Sequence, residues 1–290
     1  VSELPVESHW RSVLDHSRSY ADFTYVYPVV SRRSRGLSIG INLNPDKVCN
    51  FDCVYCEVDR LTPPRTSTVN LLQVRAELAT LIDIALNGEL ARDPKFSEAA
   101  PLTRMIRDIA FSGDGEPTMV HNFDECAQLA ADVRRSRKLD ATKLVLITDA
   151  AGLDKQSVRK GLEIMDQNNG EIWAKLDAGT PEYFARVNRS SIRFERILTN
   201  LTRTAQERPI IIQSLFLRLH GEPMPEAELE AYCDRLTEIT AAGGKIREVH
   251  LYTVARPTPE PWATRLEGPA LGSLAERIRQ RTGLPVATFA

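Results

Sequence analysis

An α/β fold built from six β/α units follows from three features of the 290-residue sequence. Aliphatic and β-branched runs of strand length recur along the chain, a segment with helical spacing follows each one, and turn-forming residues separate them. Strands are predicted over 37–43, 107–112, 143–148, 171–177, 209–217 and 249–254. Helices are predicted near 69–86, 122–137, 153–165, 192–207, 225–242 and 270–282. Such alternation calls for a parallel sheet with helices packed outside it, because parallel strands need long crossovers and these are nearly always right-handed. An open doubly wound sheet or a barrel satisfies this pattern, and six units are too few for the usual eight-unit closure. An incomplete barrel is the natural barrel variant, and both designs carry function at the carboxyl ends of strands.

Residues 1–36 precede the first strand and contain Trp10, Tyr20, Phe23, Tyr25 and Tyr27. This aromatic content predicts a short N-terminal extension packed on a domain spanning 37–290. The polar, aperiodic segment 88–104 reads as a loop inserted before the second strand.

Hydrophobic residues make up 42% of the chain and charged residues 26%, the mixture of a globular protein. No apolar run reaches the roughly 18 to 20 residues that cross a bilayer, and the first residues do not resemble a secretory signal. A cytoplasmic protein without membrane association is expected. With 37 basic and 39 acidic residues the net charge is -2, so no overall field draws the molecule to nucleic acid. Arg32, Arg33 and Arg35 form the densest basic cluster and read as a solvated loop.

The strand expected at 37–43 runs into NPDKVCNFDCVYC, which places Cys49, Cys53 and Cys56 in a loop past its carboxyl end with C-x3-C-x2-C spacing. Five cysteines, three of them this close together, look like a metal site in a reducing compartment and not a disulfide framework. Three thiolates on one loop can wrap a face of a cubane iron–sulfur cluster, whereas clusters that only carry electrons normally take four cysteines. An iron without a protein ligand can bind a small chelator such as the amino and carboxylate groups of a methionine. The alternative is a structural zinc site, which needs four closed ligands, and no histidine nearby completes the set. Cys126 and Cys233 lie in helical segments and read as small buried hydrophobes.

CNFDCVYC, with aromatic Tyr55 just before the third cysteine, resembles the cluster-binding signature of the radical S-adenosylmethionine superfamily. The resemblance implies a partial (β/α)6 TIM-like barrel, one 4Fe-4S cluster held by Cys49, Cys53 and Cys56, and S-adenosyl-L-methionine as the second cofactor. It also implies reductive cleavage of that cofactor to a 5'-deoxyadenosyl radical, with an electron donor such as flavodoxin or ferredoxin. Within the superfamily, GDGEP, KLDAGT and YTVARP look most like the small iron–sulfur oxidoreductases related to the wyosine-forming tRNA enzymes. The near-neutral charge gives no support to a nucleic-acid partner, and the substrate is left as an unknown small molecule or nucleoside.

The segment Gly113, Asp114, Gly115, Glu116 resembles the superfamily's glycine-glycine-glutamate turn, which holds the methionine amino group, with Asp114 inserted between the glycines. Thr148 and Asp149 partly match a threonine-asparagine-glycine turn that lines the cofactor pocket. Lys175 and Asp177 share a strand face because side chains alternate with a period of two. Lys175 reads as half of a structural ion pair, and Asp177 as a candidate cofactor contact. Gln213 and Ser214 are polar positions in an otherwise apolar strand and would face cofactor or substrate. Tyr252, Val254 and Arg256 stand where the last strand ends, with Tyr252 and Val254 expected against the cofactor and Arg256 equally a surface turn residue. A second reading within the superfamily is an activating enzyme that generates a glycyl radical on a protein partner. A third, from another class, is a non-catalytic electron-transfer or zinc-stabilised binding module.

Overall fold

The computed structural model describes residues 10–15, 18, 20–64 and 66–289. Residues 1–9, 16, 17 and 19 of the expected extension lie outside these. The chain forms two compact units. One comprises the residues up to Cys49 together with Asp59–Ile147 and Lys155–Glu171, and the other comprises Asn50–Val58, Thr148–Asp154 and the residues from Ile172 onward.

The first unit begins with the short helix α1 (Arg11–Leu14), then β1 (Val26–Ser31) and β2 (Gly36–Ile41), which pair antiparallel from Val26↔Ile41 to Ser31↔Gly36. Part of the expected extension is therefore an added strand. Helix α2 (Leu71–Asn87) starts where the Asn70 side chain accepts from the N–H groups of Leu72 and Gln73, and stops at Gly88 in the left-handed region. There follow β3 (Ile106–Phe111), α3 (Phe123–Ser136), β4 (Lys143–Thr148) and α4 (Gln156–Asp166), with β2, β3 and β4 parallel. Strand alternation buries Leu37, Ile39, Ile41, Ile109 and Phe111, and the edge-to-face contact of Phe111 with Phe123 marks this as the side that meets α3. The opposite side carries Ser38 and Asp108, which are hydrogen-bonded to each other, and Lys143 paired with Glu171 at 2.7 Å.

Residues 88–104, expected as a loop, contain two short 3-10 helices, Leu90–Arg92 and Ser97–Leu102. Leu90, Phe96, Ala99 and Leu102 in this segment are fully buried. These anchors lack helical or strand periodicity, which is why sequence pattern alone missed their packing.

The second unit contains β5 (Gly170–Lys175), α5 (Pro181–Val187), α6 (Phe194–Glu207), β6 (Ile210–Leu215), β7 (Arg218–Leu219), α7 (Glu226–Ala241), β8 (Ile246–Tyr252), β9 (Ala263–Thr264), α8 (Gly268–Thr282) and β10 (Val286–Phe289). Strands β5, β6, β8 and β10 are parallel, in that order, and β7 pairs antiparallel with β9. Helix α5 was not expected. Its start is nonetheless written in the sequence, with Thr180 accepting from the Tyr183 N–H at 3.2 Å and Pro181 in the first turn. The register aligns Lys175 with Gln213 and Gln213 with His250, so these polar residues share one sheet face. Ser214 faces the other way, where its hydroxyl meets that of Tyr232 on α7 at 2.6 Å. Cys126 in α3 and Cys233 in α7 are buried, and burial pushes both thiols up, Cys126 to about 12.

Candidate active site

In the first unit, β3 ends at Phe111 and the chain turns through Gly113–Glu116. A Cβ on Gly115 would lie 1.9 Å from the Val48 carbonyl oxygen, so only glycine lets this turn rest on the backbone next to Cys49. The Glu116 N–H points at the same carbonyl, at 3.4 Å. A Cβ on Gly113 would collide with the Asn42 side chain, whose Oδ1 accepts from the Asp114 N–H at 3.1 Å. The Asp114 carboxylate is held by Asn42 Nδ2 at 2.8 Å and by Arg18 Nη1 at 3.0 Å. Glu116 is 3% exposed, and its Oε1 accepts from the N–H and hydroxyl of Thr118 at 3.0 and 2.6 Å. It thus caps the short 3-10 helix Pro117–Met119.

In the second unit, Cys53, Tyr55 and Cys56 stand on a turn closed by the Cys56 N–H to Cys53 carbonyl bond at 2.9 Å. The turn is tied to the end of α5 through the N–H groups of Asp52 and Val54, which donate to the carbonyls of Asn188 and Val187 at 3.0 and 2.9 Å. Behind it, Asp177 gathers four groups. Its Oδ2 accepts from the Tyr55 hydroxyl and from Asn188 Nδ2 at 2.9 Å, its Oδ1 accepts from the Leu215 N–H at 2.8 Å, and Lys175 Nζ lies 3.8 Å away. The Lys175 ammonium also sits 4.6 Å from the centroid of the Tyr55 ring and 4.0 Å from Cys53 Sγ. Asn188 Nδ2 is 3.4 Å from the same sulfur.

Electrostatics follow from this packing. Burial pushes the Cys53 thiol up and Asp177 adds to that, while Lys175 and Asn188 pull it down. Burial and the neighbouring Asp177 and Cys53 hold the Tyr55 phenol well above its ordinary range. Burial alone would push Lys175 down, but Cys53, Asp177 and Tyr252 outweigh it and the amine stays charged.

The other expected site residues fall as follows. Thr148 and Asp149 form a tight turn in which Thr148 Oγ1 accepts from the Ala150 N–H at 3.1 Å and Asp149 Oδ1 from the Ala151 N–H at 2.9 Å. Ala150 adopts φ +68, a conformation that favours the glycine expected in the resembling turn. Gln213 is 1% exposed, and its Nε2 has no hydrogen-bond partner among the described residues. Ser214 Oγ bonds to the Leu176 carbonyl at 2.6 Å as well as to Tyr232, on the helix side of β6. Tyr252 ends β8 and Val254 is buried just beyond it. Arg256 is anchored by Glu57, next to Cys56, with Nε 2.8 Å from Oε2. Sequence reasoning missed Asn188 and Glu57, since an asparagine after a short helix and a glutamate after a cysteine belong to no motif.

None of the five cysteines is in a disulfide. Among the described residues no three His, Cys, Asp or Glu side chains are gathered as a ready metal site. The chemistry of the donors nevertheless fits an iron–sulfur cluster: three thiols within eight residues, with the ammonium and carboxamide N–H groups at Cys53 able to stabilise a thiolate.

No family model matches the chain. Among solved structures it is similar to SuiB of Streptococcus suis bound to S-adenosylmethionine, with TM-score 0.57, 13% identity, 89% of this chain covered and 52% of that one. It is also similar to TYW1 with a lysine-pyruvate adduct bound, with TM-score 0.53, 15% identity, and 86% and 74% covered. The fold is the partial (β/α)6 TIM-like barrel. This is the fold that the resemblance to the radical S-adenosylmethionine superfamily implies. In sequence, the chain is 31% identical over 162 residues to a UPF0026 protein of Methanocaldococcus jannaschii, covering 56% of this chain and 43% of that protein. It is 26% identical over 233 residues to a UPF0026 protein of Helicobacter pylori, covering 80% and 66%. A 176-residue stretch is 27% identical to part of a protein named GTPase Obg from Brachyspira hyodysenteriae, covering 60% of this chain and 22% of that protein. The chain therefore spans between about a fifth and about two thirds of the length of the curated relatives it matches. Among the described residues, no helix is long and apolar enough to cross a membrane.

Proposed function

We propose that this protein is a radical S-adenosylmethionine enzyme acting on a small molecule or nucleoside, with residues 37–290 as its catalytic domain and residues 1–36 as an extension. The observation that carries this reading is the C-x3-C-x2-C loop directly after the first parallel strand of a chain with this fold. Cys49, Cys53 and Cys56 would hold a 4Fe-4S cluster, leaving one iron without a protein ligand. When bound, that cluster supplies the electron that cleaves the carbon–sulfur bond of S-adenosylmethionine to give a 5'-deoxyadenosyl radical, the reductant being flavodoxin or ferredoxin in a cytoplasmic setting.

The chain's own groups bind and orient. Glu116 carries a buried carboxylate suited to an ammonium. Gly115 keeps the turn's backbone against Val48 beside Cys49, Gly113 leaves room for the Asn42 side chain, and Asp114, held by Asn42 and Arg18, fixes that turn. Asp177 and Tyr55 brace the loop at Cys53 and Cys56 from behind. Thr148, Gln213, Tyr252 and Val254 are assigned to the cofactor wall. Ser214 is proposed to act at one remove, by fixing the Leu176 carbonyl on the approach to Asp177.

The test is anaerobic reconstitution with iron and sulfide, reduction, addition of S-adenosylmethionine and quantification of 5'-deoxyadenosine. Formation by the wild type and none by a Cys49→Ala, Cys53→Ala, Cys56→Ala triple variant is expected. A wild type that binds only zinc, or that assembles a reducible cluster yet forms no product with any candidate substrate, overturns the reading.

A further inference from the structure

We infer that Asn188 is a positioning residue for the Cys53 thiolate, and that its side-chain N–H raises the reduction potential of the cluster. This rests on the reading proposed above.

Asn188 is 1% exposed, and its Nδ2 lies 2.9 Å from Asp177 Oδ2 and 3.4 Å from Cys53 Sγ. A primary amide has two N–H donors, so one can serve the carboxylate while the other lies between the sulfur and the Tyr55 hydroxyl, both 3.4 Å from Nδ2. The orientation is dictated by charge. Turning the amide over would aim Oδ1 at an acceptor-only carboxylate and at a thiolate, two repulsive contacts in place of two attractive ones. Oδ1 itself has no hydrogen-bond partner among the described residues, so no other contact selects the orientation.

The distance to the sulfur is held by the backbone. Asp52 and Val54, on either side of Cys53, both donate to carbonyls at the end of α5, one of them that of Asn188 itself. The amide and the thiolate therefore belong to one latch. Lys175 Nζ, 4.0 Å from the same sulfur, adds a positive charge. A reduced cluster carries one more negative charge than the oxidised one, and N–H dipoles or cations aimed at a ligand sulfur favour the reduced form more.

The experiment compares reconstituted wild type with Asn188→Leu and Lys175→Met, titrating the electron paramagnetic resonance signal of the reduced cluster against solution potential. Asn188→Leu is expected to hold at least tenfold less reduced cluster at a fixed potential, a shift of 59 mV downward for a one-electron couple. Lys175→Met is expected to move in the same direction. In wild-type protein carrying asparagine labelled with 15N at the side-chain amide, pulsed measurements should show a 15N coupling to the reduced cluster. That readout does not depend on whether a variant folds. A wild type that assembles no cluster refutes the radical reading itself. A wild type that assembles one but shows no 15N coupling, or variants whose potential stays or rises, overturn the inference and leave that reading standing.

Discussion

Glu116 in the first unit and Asp177 in the second are both buried carboxylates, each 3% exposed, yet they are satisfied in different ways. Glu116 takes the N–H and hydroxyl of Thr118, two residues on, in a turn that one stretch of sequence can write. Asp177 takes donors from Tyr55, Asn188 and Leu215, brought from separate parts of the chain, with Lys175 alongside. A locally satisfied carboxylate can be altered at the cost of its own cap. A carboxylate satisfied from afar ties its partners together, and removing it takes a hydrogen bond or ion pair from each of them at once.

Asp177→Ala removes the hub of the distant contacts. It removes the acceptor shared by the Tyr55 hydroxyl, the Asn188 amide and the Lys175 ammonium, and should cost about 3–5 kcal/mol, read as a lower urea midpoint. A cost near that of an ordinary surface change would mean the four groups are not held as one network. Gly115→Ala comes next in size. Its methyl must displace the Val48 carbonyl, so about 1–3 kcal/mol of stability should be lost, with poorer iron uptake by the adjoining cysteine loop. Unchanged unfolding would show that the turn does not rest on that backbone.

Glu116→Gln keeps an oxygen for Thr118 and should leave stability within about 1 kcal/mol of wild type. Loss of its charge should nevertheless weaken S-adenosylmethionine binding to the reconstituted protein at least tenfold, about 1.4 kcal/mol by calorimetry. Equal affinity would remove Glu116 from the ligand assignment while leaving its cap intact.

The smallest effect concerns Tyr183, whose buried hydroxyl has no hydrogen-bond partner among the described residues. Burial, with Glu228 nearby, raises its phenol from 10.0 to about 12. The neutral phenol is the favoured folded form, so the stability it contributes is complete below pH 10 and is lost as the pH rises toward 12. Tyr183→Phe should change stability at pH 7 by less than about 0.5 kcal/mol and flatten part of the alkaline decline. A variant that loses stability at neutral pH would reveal a partner for the hydroxyl.

Of the parallel strands, β2, β3, β4, β5, β6 and β8 were legible because buried strands read as aliphatic runs, with observed bounds within a few residues of those expected, whereas the four-residue β10 was not expected. Helix α5 was overlooked despite Thr180 and Pro181, because seven residues are too few to establish a helical period. The antiparallel strand β1 was hidden among aromatic residues that read equally well as a packed coil. Of the site, the cysteine spacing and the glycine turn were visible, since each is a constraint between near neighbours in sequence. The ion pair of Lys175 with Asp177 was visible for the same reason, being two residues apart on one strand.

By itself, then, the sequence determined the alternation of elements, the thiol-bearing loop and the backbone freedom beside it. These depend on periodicity, on side-chain chemistry and on the absence of a Cβ, all of which act over a few residues. Folding alone brings Asp177 to Tyr55, Glu57 to Arg256 and an Asn188 N–H to Cys53. Those contacts join residues 122 to 199 positions apart. A hydrogen bond needs its atoms within about 3 Å and aligned, and that is a property of the folded chain that no local pattern specifies.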